Sequence, residues 1–358
     1  MVEYLSGNRI QGSSTSTGTV AQTSWKEIGR MKLSSASDTI TVKGLSNATS
    51  GSLPSKDNYM ILFHDTGSNN AGSRMRLRVN EDDNDNYAYR FANNFSTTET
   101  PDGTESFIYI SESDLEDCGF AVINAHHTSS KESVFHGRSV KKPSGSSIGY
   151  GETHGTYTQT GNITSLSMIT HTSVGYTWDS DTEMIVLGAD NDEADSGTNF
   201  WQLLAEETQT TAGETLTATV AKKNYYMLEY WAVPNGNIDI ACRIGDGSAA
   251  SSGYYKRESD DWGAMGTASD SQLPWGKGSG GARYCYGTAF LDNHSGNAHL
   301  WISKGIDDGG SGNNYPSNRR AGGWYNGTTD QIDTIQLMDN GQSGNLGVGT
   351  VLRIWGAD

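Results

Sequence analysis

Apolar and polar positions alternate along most of this chain with the two-residue period of half-buried strands, and the helical period of 3.6 is nearly absent. Runs such as Tyr59–His64, Phe120–Asn124, Glu183–Leu187, Tyr225–Ala232, Ile238–Ile244 and Val351–Trp355 are bounded by stretches of Gly, Ser, Thr, Asn and Asp. Those residues punctuate short strands because they adopt or cap turns. Roughly eight to ten such runs per half, joined by glycine-rich loops, predict an all-β two-sheet sandwich of the jelly-roll kind.

The pattern is written twice. Ile163, Leu166 and Met168 return as Ile332, Ile335 and Leu337, and both stretches close on Gly-Ala-Asp, at Gly188–Asp190 and Gly356–Asp358. Upstream, Tyr59 aligns with Tyr226, Met60 with Met227, Arg76 with Arg243, Tyr87 with Tyr254, Arg90 with Arg257, Ala121 with Ala289 and His126 with His294. Trp25 aligns with Trp201 across a shortened loop. The repeat is far longer than the ~20–50 residues of a solenoid, so each copy reads as a whole domain produced by tandem duplication. The expected organisation is an N-terminal arm over 1–22, a jelly-roll domain over 23–190, an acidic linker over 191–197 and a second jelly roll over 198–358. The arm is Gly/Ser/Thr-rich and carries Tyr4, Leu5, Arg9 and Ile10. Such a segment is expected to extend and fold on contact with a neighbouring subunit.

Composition narrows the function. Hydrophobic residues make up 34% of the chain and there are 44 glycines, yet 9 Trp, 17 Tyr and 8 Phe supply enough apolar surface for packed cores. The net charge is −17. A sheath of carboxylates repels nucleic-acid phosphates and anionic lipid surfaces, so neither is an expected partner. The cysteines Cys118, Cys242 and Cys285 are odd in number and lack Cys-x-x-Cys spacing, so they are expected as small core residues. No run approaches the ~18 apolar residues of a membrane span. Residues 1–20 lack the basic start and apolar run of a secretory signal. A particle assembled inside a cell and extracellular after release would suit that start.

Little in the chain points to catalysis. There is no Gly-x-Ser-x-Gly elbow, phosphate loop or His-Glu-x-x-His. Carboxylate pairs for glycoside hydrolysis need separations of about 5 or 6.5–9.5 Å, which spacing along a chain does not display. The expectation is a non-enzymatic protein. Two binding constellations stand out. Asn80–Asn86 clusters Asp82, Asp83 and Asp85, an oxygen-rich set for calcium or a solvated turn. In the second copy Trp262, Trp275 and Trp324 fall in glycine-rich stretches near Tyr254 and Tyr325. Exposed rings there would stack on sugar faces; covered ones would plug the end of the sandwich. The repeated His126 and His294 follow strand runs and suit turn hydrogen bonds better than metal.

The opening Gly7-Asn8-Arg9-Ile10-Gln11-Gly12 and the closing Ile332-x-x-Ile335-x-Leu337, Asn345-Leu346, Gly349-Thr350 and Leu352-x-Ile354-x-Gly356 resemble virion structural proteins of marine tailed phages and related environmental viruses. In the first copy His171–Ser180 stands in place of the Gly-Asn-Leu loop. The resemblance implies a capsid, head-decoration or tail-associated subunit. Such a subunit would use no cofactor and would contact copies of itself and other virion proteins. The alternative is a lectin-like module for host-surface glycan.

Overall fold

The computed structural model describes residues 3–5, 8–10, 25–45, 50–67, 74–94, 100–111, 118–142, 148–170, 175–190, 199–236, 238–260, 267–278, 284–307, 318–340 and 344–358. Among the described residues there is no helix, and the named strand pairs are antiparallel. Near the N-terminus β1 (Glu3–Leu5) and β2 (Asn8–Ile10) pair with one another, Tyr4 opposite Arg9 and Leu5 opposite Asn8. Within the predicted arm these two three-residue strands pair with one another, which satisfies backbone groups that a lone strand leaves open. The rest of the predicted arm and the linker 191–197 lie outside the described residues.

The chain divides into two compact units, one of Met1–Ser144 with Gly151–Gln202 and the other of Gly145–Tyr150 with Leu203–Asp358. The first contains β3 (Lys26–Lys32), β4 (Thr39–Val42), β5 (Asn58–Asp65), β6 (Met75–Val79), β7 (Tyr87–Asn93), β8 (Thr100–Glu105), β9 (Ile108–Ser111), β10 (Cys118–His126), β11 (Ser133–Lys142), β12 (Gly149–Tyr157), β13 (Leu166–Ile169) and β14 (Glu183–Ala189). Its large sheet runs β3-β14-β5-β10-β11-β12-β7-β8 and its small sheet β4-β13-β6-β9. Setting aside the added strands β7, β8, β11 and β12, the remaining eight fall in the spatial orders first-eighth-third-sixth and second-seventh-fourth-fifth. That double Greek key is the jelly roll. The four added strands extend the large sheet beyond β10.

The second unit contains β15 (Gln202–Thr208), β16 (Thr215–Thr219), β17 (Tyr225–Ala232), β18 (Pro234–Asn235), β19 (Ile238–Gly245), β20 (Tyr254–Asp260), β21 (Thr267–Asp270), β22 (Leu273–Gly278), β23 (Cys285–Asp292), β24 (His299–Asp307), β25 (Asn318–Tyr325), β26 (Thr334–Asp339), β27 (Asn345–Leu346) and β28 (Val351–Ala357). Its sheets run β15-β28-β17-β23-β24-β25-β20-β21 and β16-β26-β19-β22, with a short β18-β27 pair. Strand for strand, apart from that short pair, this is the order of the first unit, including the four-strand extension.

Each unit closes around its own core. The first gathers Ile61, Phe63, Leu77, Ile123, Met168, Trp178 and Val186, and the second Leu228, Tyr230, Ile240, Trp275, Trp301, Ile335 and Ile354. Alternation decides which residues enter: in β16 only Leu216 and Ala218 are buried among exposed threonines, the period of a strand with one dry face. Cys118, Cys242 and Cys285 are buried thiols, as expected of small core residues. Burial pushes the Cys242 thiol well above its ordinary value.

Repeated tyrosines pin matching corners. The Tyr59 hydroxyl accepts from the Lys56 N–H at 3.0 Å and the Tyr226 hydroxyl from the Lys223 N–H at 3.2 Å. Tyr87 bridges the backbone N–H and C=O of Val79, and Tyr254 those of Ile244. Removing the buried hydroxyl leaves the Ile244 N–H without that partner, while the Ile244 carbonyl keeps the Ala250 N–H at 3.1 Å. Tyr254→Phe is therefore expected to lose about 1–3 kcal/mol in urea unfolding, and a loss near zero would show that the clamp is idle.

Register corrects three sequence alignments, those of Arg243, His294 and Ala289; for the last, Ala121 faces Phe63 and Tyr230 faces Gly287, so Gly287 answers Ala121. Leu166 faces Val79 and Ile335 faces Ile244, so Arg243 corresponds to Arg78 rather than Arg76. Both send Nε to a carbonyl, Ser106 at 3.0 Å and Ser271 at 3.1 Å. Likewise Tyr59 faces Ala125 and Tyr226 faces Leu291, which makes Asp292, not His294, the counterpart of His126. A slip of two residues keeps every side chain on its own face of the sheet, so the hydrophobic pattern is blind to it.

Candidate functional site

The large sheet of the first unit carries a polar hollow on its extension. Along β11 and β12 the core takes Phe135 and Tyr157, while the alternate positions His136, Glu152 and His154 share the other face. There the His136 Nε2 stands 3.4 Å from Glu152 Oε1. The His136 and His154 rings stack with centroids 4.8 Å apart. Glu152 is buried, His136 half-buried and His154 exposed. Burial pushes the His136 imidazole below its ordinary value; the charges of Arg138 and His154 add to that, and Glu152 pulls the other way. A cavity of about 440 Å³ adjoins the cluster, lined by Trp25, Asn58, Asn124, His126, His136 and His154 among others. A second hollow of about 400 Å³, with Tyr89, Arg90, Asp102 and Thr156, begins on the far side of His154.

The second unit presents a different surface. Paired residues of antiparallel strands project to one side, and Val351 on β28, Trp231 on β17, Tyr286 on β23 and Ile306 on β24 are paired in one line across the sheet. Trp231 is 46% exposed and Ile306 44% exposed. Tyr284, 53% exposed, stacks on the Trp231 ring at 5.2 Å. This aromatic row is open apolar surface on a strongly acidic chain.

No protein-family model and no curated protein matches the chain. Among solved structures, human GIVD cytosolic phospholipase A2 aligns at 6% identity, over 76% of this chain and 33% of its own length, with a TM-score of 0.15. A structure of two C2 domains of Extended-Synaptotagmin 2 aligns at 8% identity, over 82% of this chain and 95% of its own length, with a TM-score of 0.10. This chain thus spans about a third of that phospholipase.

The structure redistributes the residues singled out from the sequence. Tyr254, Trp275, Trp324 and Tyr325 do not line an open loop platform: all four are buried and sit in or at the ends of strands. Trp275 packs edge-on to Tyr230 and Trp301. Tyr254 stacks on Tyr325 at 4.8 Å, and Trp324 on Tyr255 at 4.0 Å. Gly276 beside Trp275 and Gly323 beside Trp324 lie within strands and mark close strand packing rather than loops. Trp262 lies outside the described residues.

The Asn80–Asn86 turn is also closed by its own side chains. Asp82 Oδ1 accepts from the Asn84 N–H and amide, and Oδ2 from Asn86 and the Tyr157 hydroxyl. Burial opposes the Asp82 charge, but those hydrogen bonds outweigh it and hold the carboxyl below the usual range. Among the described residues, the carboxylates of Asp82, Asp83 and Asp85 do not gather within 4.8 Å of one another. His126 Nδ1 lies 3.2 Å from Asn58 Oδ1 across the β5–β10 pair, whereas His294 Nδ1 contacts Asp292 Oδ1 at 2.6 Å, two residues away; only the second is the local kind of contact expected. The tracts that sequence reasoning misses, β11–β12 and the Trp231 row, carry one signal: His, Glu or Trp at the outward step of an alternating strand. Among the described residues no helix is long and apolar enough to cross a membrane.

Proposed function

We propose that the protein is a non-enzymatic virion structural subunit that builds or decorates a shell or appendage by contact with further copies of itself. The reading is supported by the fold built twice in one strand order, consistent with tandem duplication, and carried by one observation: the exposed Trp231–Tyr284–Ile306 row. Exposed aromatic and aliphatic surface on a sheet face is what protein contacts bury, and tryptophan and tyrosine dominate their energetics. The acidic remainder keeps subunits dispersed until that row is covered. Other virion proteins are the second class of partner, and the particle is the place of action.

The test is negative-stain microscopy and light scattering of the purified chain beside a Trp231→Ala/Tyr284→Ala double variant. The parent is expected to form regular oligomers and the variant to stay dispersed with an unchanged circular dichroism spectrum. Equal assembly by both, or a parent that stays monomeric at every concentration, would sink the proposal.

The stacked Trp231–Tyr284 pair also favours a second reading, a glycan-binding role in host attachment, carried by these rings instead of the buried set. Binding on a glycan array that vanishes in Trp231→Ala, with assembly unaffected, would select it.

A further inference from the structure

We propose that His136, Glu152 and His154 form a binding site for a divalent transition ion of the zinc class, clipping β11 to β12. One donor atom from each residue lies within 4.8 Å of the other two. His136 Nε2 and Glu152 Oε1 are already 3.4 Å apart. Two ligands on a tetrahedral zinc with bonds of about 2.0–2.1 Å stand about 3.3 Å from each other, so this pair needs almost no movement. His154 is exposed on its neighbouring strand, and its side chain is free to rotate the remaining distance.

The donor set chooses the ion. Two imidazoles and one carboxylate suit zinc, cobalt(II) or iron(II), whereas calcium and magnesium take oxygen ligands. Three protein ligands leave a fourth position for water. The two hollows of about 440 and 400 Å³ meet at His154, so that position opens to solvent and to small anions. Arg138, buried beside His136, opposes a second cation, and the Glu152 carboxylate offsets it. The site is therefore weaker than an all-thiolate structural zinc site. The inference does not rest on assembly and applies to the dispersed chain.

The test uses the full chain, stripped with EDTA and dialysed, with cobalt(II) and then zinc(II) as probes. Cobalt is expected to give visible ligand-field bands that zinc abolishes, and zinc is expected to raise the thermal midpoint by binding only the folded state. His154→Ala, a change at an exposed position, should lose one equivalent of bound zinc and weaken cobalt binding by at least about 10-fold. Glu152→Gln, which keeps the side-chain shape, should lose the same equivalent. No cobalt bands in the parent, or an unchanged zinc stoichiometry in both variants, overturns the site.

Discussion

Trp275→Ala is expected to destabilise the second unit by about 3–5 kcal/mol, the usual loss for emptying a large aromatic from a closed core. Trp275 is fully buried. It meets the Tyr230 ring at 4.8 Å and the Trp301 ring at 5.1 Å, both nearly perpendicular. Such edge-to-face pairs add about 0.5–1.5 kcal/mol each beyond the area they bury. The cavity cannot collapse easily, because β-sheet backbone stands on both sides and neighbouring positions are glycines with no side chain to fill the void. Urea unfolding monitored by tryptophan fluorescence and circular dichroism measures the loss. Trp231→Ala supplies the contrast: on an exposed site the same chemical change should stay within about 0.5 kcal/mol. A Trp275→Ala cost under about 1 kcal/mol, well below that core range, would mean the ring is not in the core, and the alternative of exposed rings stacking on sugar would reopen.

Gly305→Val should be more damaging still and is expected to prevent the second unit from folding. A Cβ at Gly305 would overlap the Trp275 carbonyl oxygen and come within 2.8 Å of the Gly276 Cα and 2.9 Å of the Tyr230 hydroxyl. Two of these are backbone atoms on β22, which cannot rotate away as a side chain can. Here the two sheets touch with nothing between them, and any branched residue has to pry them apart. Overpacking a well-filled core costs about 1–3 kcal/mol where side chains yield, so a clash against backbone should exceed that range. Gly305→Ala should fall between the parent and the valine variant. Gly103→Ala on β8, where an added Cβ meets nothing within 4 Å, should be silent. Soluble yield, circular dichroism and thermal melts of the four proteins check the series; a folded Gly305→Val with the parent's midpoint would refute the close approach.

The binding residues are far less legible in the sequence than the strands. The closing strands, β13 with β14 and β26 with β28, are readable from Leu166, Met168, Ile335, Leu337 and the paired Gly-Ala-Asp endings, because alternation is a local property of neighbouring side chains. Glycine near Trp275 and Trp324 suggests loop, yet it marks strands packed too tightly for a side chain. Asp82 looks like an ion ligand among acidic neighbours, but its oxygens are taken by Asn84, Asn86 and Tyr157, the last of which arrives from a distant strand. His136 and His154 give no spacing signal at all, since they meet only because β12 lies beside β11 in the sheet.

By itself, then, the sequence determined that this is an all-β chain, that its strand pattern is written twice, and which step of each strand is apolar. Hydrophobic alternation and turn residues act between near neighbours, so they survive in one dimension. Tertiary structure alone decided that Arg78 rather than Arg76 answers Arg243, that Trp275 is covered while Trp231 is open, and that His136, Glu152 and His154 meet. Register and coverage depend on which remote strand lies alongside, and a two-residue slip leaves the local pattern unchanged while moving every such partner.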